Sequence, residues 1–154
     1  MKPQSFTQVY IHLVFAVKHR DRILTPSIRP RLFEYIGAII NGMNHKSIKI
    51  NGYIDHIHLL IGFNPTKSIS ETVYEIKRSS SLFINKNNLC LGHFEWQEGY
   101  GAFSYSRSQI DAVIRYIEGQ ENHHKKRTFR QEYLDILNKN SIEFNELYMF
   151  KFFE

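Results

Sequence analysis

His56 and His58 stand two places apart in an apolar run, Asn51-Gly52-Tyr53-Ile54-Asp55-His56-Ile57-His58-Leu59-Leu60-Ile61-Gly62. In an extended strand alternate side chains share a face, so both imidazoles project together while Ile57, Leu59 and Ile61 project to the other side. Two neutral imidazoles side by side are half a site for a divalent cation. The same pattern also suits a strand that merely carries two histidines. A second group of chemically able residues falls downstream. If residues 110–124 form one helix, Ile110, Val113, Ile114 and Ile117 make an apolar stripe, and Tyr116, Gln120, His123 and Arg127 line up on its flank. A phenol, an amide, an imidazole and a guanidinium are costly to bury as core and well suited to a reacting phosphate. The plainer reading of that row is the polar edge of an ordinary helix.

Such residues need a scaffold to position them. The chain has 154 residues and a hydrophobic share of 42%, which predicts one domain with a real core and excludes disorder on the scale of the whole chain. No apolar run approaches the roughly 20 residues of a membrane helix, and residues 1–5 are not followed by a signal-peptide core, so a soluble cytoplasmic protein is expected. The single cysteine, Cys90, excludes an internal disulfide and a cysteine-based zinc cluster. Histidine, carboxylate and amide groups are left as metal ligands. A net charge of +5 and an aromatic share of 14% suit nucleic acid, because cations bind phosphates and aromatic rings stack on unpaired bases.

Taken in order, the β-branched and aromatic residues over 6–18 predict a first, central strand. It ends in the charged group Lys18, His19, Arg20, Asp21 and Arg22, either a solvated turn or a phosphate contact. Pro26 opens a helix capped by Thr25, with Leu32, Tyr35, Ile36, Ile39 and Ile40 as its core stripe until Asn41-Gly42 stops it. Strands over 46–54 and 55–62 follow, with Asn51-Gly52 as a tight turn or Gly52 as a bulge. A second helix over 70–84 carries Lys77, Arg78, Ser79 and Ser80 on a face that suits either a nucleic-acid backbone or plain solvent. A fourth strand over 94–103 is broken by Gly99 and Gly101.

The order strand, helix, strand, strand, helix, strand predicts an α+β fold, a ferredoxin-like or RRM-like antiparallel sheet (βαββαβ) with an added C-terminal helix over about 107–127. Ser106-x-x-Gln109 or Ser108-x-x-Asp111 can cap that helix. Gly119 costs it about 1 kcal/mol relative to Ala, which a close approach of DNA or of a second subunit would offset. Residues 128–154 include a short helical pattern at Tyr133, Leu134, Asp135, Ile136 and Leu137 and an aromatic end over 147–153. They are expected to dock on the single domain, 1–154, or on a second copy of it.

Several segments together resemble the IS200/IS605-type single-tyrosine transposases of the HUH endonuclease class. These are His56-Ile57-His58, Trp96-x-x-Gly99-Tyr100-Gly101-Ala102-Phe103-Ser104, Tyr116-Ile117-Glu118-Gly119-Gln120 with His123-His124, Val9 to Phe15, and Lys18-His19-Arg20. The likeness covers nearly the whole chain. It implies that Tyr116 is the nucleophile, that His56 and His58 hold Mg2+ or Mn2+, and that Gln120 is the third ligand. It also implies a homodimer that binds hairpins in single-stranded DNA at element ends, the tyrosine helix of one subunit commonly completing the histidine site of the other. The protein would then be nucleoid-associated when bound to DNA. Where this family often has Asn before the glutamine, the chain has Gly119, which leaves the helix geometry around Gln120 open.

The expected activity is strand cleavage through a 5′-phosphotyrosine and strand transfer without ATP, since the covalent link keeps the phosphodiester energy. Expected DNA contacts are Lys18, Arg20, Arg22, Lys77, Arg78, Ser79, His123 and Arg127. Three other readings compete. A non-catalytic single-stranded nucleic-acid-binding module has no use for a histidine pair plus a Tyr/Gln helix, and a hydrolase of small phosphoesters has no use for Tyr116. A domesticated nickase would share all of these residues.

Overall fold

The computed structural model describes residues 5–18 and 23–144. Arg20, Arg22 and the aromatic segment 147–153 lie outside the described residues. Four strands, β1 (Tyr10–Ala16), β2 (Lys46–Gly52), β3 (His56–Gly62) and β4 (Gly101–Tyr105), form one antiparallel sheet in the order β2-β3-β1-β4. Among the described residues the α-helices are α1 (Arg29–Gly42), α2 (Ile69–Lys86), α3 (Ile110–Glu118), α4 (Gln120–His124) and α5 (Phe129–Lys139). This is the α+β architecture that the order of elements predicts.

The sheet has two unlike faces because β1 and β3 alternate. Leu13 and Phe15 on β1 and Ile57, Leu59 and Ile61 on β3 are fully buried in the main core with Leu32, Ile36 and Ile40 of α1 and Val73 and Ile76 of α2. Each such side chain contributes about 1.5–3 kcal/mol on leaving water, which is what holds this layer to the sheet. The opposite face carries His12, Val14, His56, His58 and Leu60. There Ile110, Val113 and Ile117 of α3 pack on Leu60 as a second, smaller core. Phe129, Tyr133, Ile136 and Leu137 of α5 are buried as well.

Three local expectations are corrected. Asn51 and Gly52 neither turn nor bulge: they stay in the ladder opposite His58 and Ile57, and the irregularity falls between Ser47 and Lys49. The chain reverses just beyond, where the Tyr53 amide donates to the His56 carbonyl at 3.0 Å. A Cβ on Gly52 would stand 2.4 Å from that same carbonyl, so the tight closure requires glycine. The fourth strand begins only at Gly101. Upstream, Trp96 bridges Val17 in isolation, and Gly99, at φ +89°, takes the chain out of the extended conformation before the ladder resumes. At Gly101 a Cβ would lie 2.8 Å from the Tyr133 hydroxyl, so the absent side chain is what lets α5 come down on the sheet. The expected helix over 107–127 is a 3-10 turn at Arg107–Gln109 followed by α3 and α4, divided at Gly119.

α2 starts earlier than its apolar period suggests, because Ser68 and Glu71 form a reciprocal capping box. The Ser68 hydroxyl accepts from the Glu71 amide at 3.0 Å, and the Glu71 carboxylate accepts from the Ser68 amide at 2.6 Å. Ser68→Ala is expected to cost about 1 kcal/mol, read as a lower urea midpoint at unchanged slope. An unchanged midpoint would show that the box contributes nothing.

Candidate active site

The alternation of β3 places His56 and His58 on the face that α3, α4 and α5 cover, and both are fully buried. Each has its Nδ1 side occupied. Asp55 Oδ1 lies 2.8 Å from His56 Nδ1, and since a carboxylate only accepts, that nitrogen carries the hydrogen. His58 Nδ1 is 2.8 Å from His12 Nε2, on the neighbouring strand. Both Nε2 atoms are thereby aimed into the space under α4 and α5, the arrangement by which a partner on the outer nitrogen orients a ligating imidazole.

The division at Gly119 decides what α4 presents to that space. The Asn51 side-chain amide donates to the carbonyls of Ile117 and Glu118 at 2.9 and 3.1 Å, taking two acceptors that a continuous helix would use. The Gly119 amide closes α3 on the carbonyls of Arg115 and Tyr116. Gln120 then opens α4 with its side chain buried, Oε1 3.0 Å from His56 Nε2 and 3.2 Å from His124 Nε2. The close approach at Gly119 is made by this chain's own His123, whose Nε2 would lie 3.2 Å from an added Cβ. His123 packs on the Tyr116 ring, with centroids 4.8 Å apart.

Glu132, on α5, sits at the centre. Its Oε1 is 3.3 Å from His56 Nε2, 3.3 Å from His58 Nε2 and 3.1 Å from His124 Nε2. Its Oε2 accepts from Gln120 Nε2 at 2.8 Å and from the Tyr116 hydroxyl. Phe129, one turn earlier on α5, stacks on the His56 ring at 3.9 Å between centroids. Sequence reasoning missed Glu132, His124, His12 and Asp55. His124 and Asp55 had a signal: the first is one helical turn from Gln120, the second directly precedes His56. Glu132 and His12 had none.

The donor set fits a hard divalent ion. Two ligands at right angles on Mg2+, each about 2.1 Å from it, stand roughly 3 Å apart, close to the spacings of the imidazole nitrogens from the Gln120 and Glu132 oxygens. The polarity agrees, because His56 Nε2 faces two oxygens of which neither can donate a hydrogen bond. A lone pair there would meet lone pairs, so the position calls for a proton or a cation. Three of these groups, His56, His58 and Glu132, are buried and able to share one ion.

The electrostatics follow from the same contacts. Burial alone would lower His56, but its hydrogen bonds with Asp55 and Glu132 outweigh that and push it up to about 9. Burial holds His58 and His12 below the ordinary histidine value, His12 strongly. Burial would raise the Glu132 carboxyl, and the imidazoles around it, His58 first, reverse this and keep it ionised. Tyr116 is raised above the usual phenol value by burial and by the Glu132 charge, so the phenol stays protonated unless positive charge arrives beside it.

A group that titrates higher in the folded than in the unfolded state stabilises the fold below its unfolded value, and loses that effect as pH rises through its folded value. His56 therefore governs the window from about 6.5 to about 8, above which Lys77, lowered by burial to about 8, acts in the opposite direction. Metal-free protein is expected to lose up to about 2 kcal/mol across it, measured by urea unfolding in a chelator. Stability that is flat or rises over this window would refute the charged His56.

The residues expected at a DNA surface are placed as follows. Lys18 pairs with Glu95 at 2.7 Å, both exposed. Lys77 donates to the carbonyls of Gln97 and Gly99 at 2.8 and 2.7 Å and is lowered by burial to about 8. It ties α2 to the segment before β4. Arg78 and Ser79 both bond Glu75, and Arg127 pairs with Asp135.

A family model described as "Transposase IS200 like" matches residues 5–120. No curated protein matches the chain. Among solved structures, a putative transposase from Deinococcus radiodurans R1 aligns with a TM-score of 0.61 at 20% identity, covering 78% of this chain and 96% of the other. A REP-associated tyrosine transposase bound to a REP hairpin aligns with a TM-score of 0.59 at 14% identity, covering 80% and 74%. At these identities the two structures support the fold.

Proposed function

Since the chain belongs to the IS200-like transposase family, we propose that this transposase cuts and rejoins single-stranded DNA at hairpin-bearing ends through a 5′-phosphotyrosine on Tyr116. The observation that carries the reading is the Glu132 carboxylate, which takes the Tyr116 hydroxyl on one oxygen while the Nε2 atoms of His56 and His58 face the other. A nucleophile and a cation-binding pair are thus one carboxylate apart, within a single chain.

His56, His58 and Gln120 would hold Mg2+ or Mn2+. When bound, the ion supplies a positive charge that polarises the scissile phosphate and lets the phenol ionise. Tyr116 Oη attacks phosphorus in line, the bond to the 3′ oxygen breaks, and the 3′ oxygen leaves as a hydroxyl by gaining a proton. The phenolic proton lies on the hydrogen bond to Glu132 Oε2, the nearest acceptor. In the reverse direction a 3′-hydroxyl from another strand attacks the phosphotyrosine, and Tyr116 recovers its proton. No bond energy is lost, so transfer needs no ATP.

His123, packed against the Tyr116 ring, limits where the phenol can point. Each excision requires two strand cleavages and each chain offers one Tyr116, so two copies would act together as a homodimer. Sharing of a helix across subunits is not required to bring Tyr116 to His58, whose rings are already 5.9 Å apart.

A labelled hairpin DNA with a single-stranded flank, drawn from the DNA beside the gene and incubated with protein and Mn2+, tests the proposal on a denaturing gel. A protein-linked band that survives denaturation is expected. Binding without any such band on all flanking hairpins would instead support a non-catalytic single-strand binder.

A further inference from the structure

We propose that α5 supplies the metal site with its anionic ligand, Glu132, with His124 of α4 beside it. The inference rests on the reading of His56 and His58 as metal ligands and adds to it a group from outside the family match, which ends at residue 120.

Two neutral imidazoles and an amide bring no negative charge to a divalent ion. Mg2+ and Mn2+ are hard cations that favour carboxylate oxygen. In this fold a carboxylate is placed at that point and fully buried, its Oε1 within 3.1 to 3.3 Å of the Nε2 atoms of His56, His58 and His124. His124 is oriented for the same task. The Arg127 carbonyl accepts from His124 Nδ1 at 3.1 Å, which turns Nε2 toward Glu132 Oε1 and Gln120 Oε1.

Burying a carboxylate costs several kcal/mol unless it is compensated, and an apolar residue on this side of α5 would pack more cheaply beside Phe129 and Tyr133. The convergence of three imidazole nitrogens on one oxygen is accounted for if that oxygen and those nitrogens share a cation. Glu132 Oε2 meanwhile keeps the Tyr116 hydroxyl and Gln120 Nε2. The same side chain thus sets the distance between nucleophile and ion.

The test is Mn2+ binding by the full-length protein, by calorimetry and by electron paramagnetic resonance, without DNA. Glu132→Gln keeps the shape and removes the charge. It is expected to weaken Mn2+ binding at least about tenfold to a hundredfold, in the range found when groups around a metal are altered. Glu132→Asp keeps a charge but withdraws it by one methylene, and is expected to lie between wild type and Glu132→Gln. A metal-free thermal melt of each variant establishes that it is folded. Should either variant be unfolded, the other decides.

Wild-type affinity in the folded variants, with binding lost in His58→Ala, would overturn the role of Glu132 and leave the histidine site standing. Wild-type affinity in His58→Ala as well would overturn both. A purely structural Glu132 would lower the metal-free melting temperature without changing the affinity of the folded protein.

Discussion

Tyr116→Phe is expected to abolish the covalent protein–DNA band and to lower strand cleavage by at least about 10^4-fold, the scale on which removing a nucleophile acts. Phe fills the same volume, so the packing of α3 and the contact with His123 survive. The loss is confined to the hydroxyl and its bond to Glu132, whose Oε2 still accepts from Gln120 at 2.8 Å. Hairpin binding, followed by gel retardation in Ca2+ or in chelator, is expected to stay within about threefold of wild type. The contrast is the informative part: a residue acting through the fold would weaken binding and cleavage together. Cleavage retained in Tyr116→Phe would remove Tyr116 from the chemistry and send the search to another nucleophile.

The second large effect is expected at His58. Its Nε2 faces Glu132 Oε1, its Nδ1 is bonded to His12, and its ring is fully buried between His12, His56 and Tyr116. His58→Ala removes a proposed ion ligand and leaves a void lined by polar groups. Mn2+-dependent cleavage should fall by about 10^3-fold or more, and the rise in melting temperature that Mn2+ gives wild-type protein should vanish. A metal-free cost of about 2–4 kcal/mol is expected beside this, from the void and the lost bond to His12. His58→Leu separates the two effects, since it refills most of the space with a side chain that carries no ligand atom. Restored stability with no restored Mn2+ response supports ligation, whereas a restored Mn2+ response would sink it.

The two histidines on β3, the apolar stripe of α3 and the general order of elements could be read from the chain because each depends on contacts within a few residues. Strand alternation and helical period are properties of the local backbone, so they appear in sequence as spacings of two or of three and four. The failures have a physical pattern too. Gly119 divides the helix because Asn51, on β2, captures carbonyls at the end of α3. Gly101 is glycine because Tyr133, on α5, comes down upon it. Lys77 looks like a solvated cation on its helix, yet two carbonyls before β4 hold it. In each case the partner is distant in the chain.

By itself, then, the sequence determined that His56 and His58 share one face of a strand, that Ile110, Val113 and Ile117 form one apolar stripe, and that the chain belongs with the IS200-like transposases. These follow from backbone geometry and from motif order. Only the tertiary structure decided that the two halves meet within one chain and that Glu132 lies between them, joined to Tyr116 on one oxygen and facing the histidines with the other. No period links a strand residue to a helix residue arriving by way of two turns. That meeting is set by how α3, α4 and α5 pack on the sheet, with Leu60, Gly101 and Phe129 as the contacts that place them.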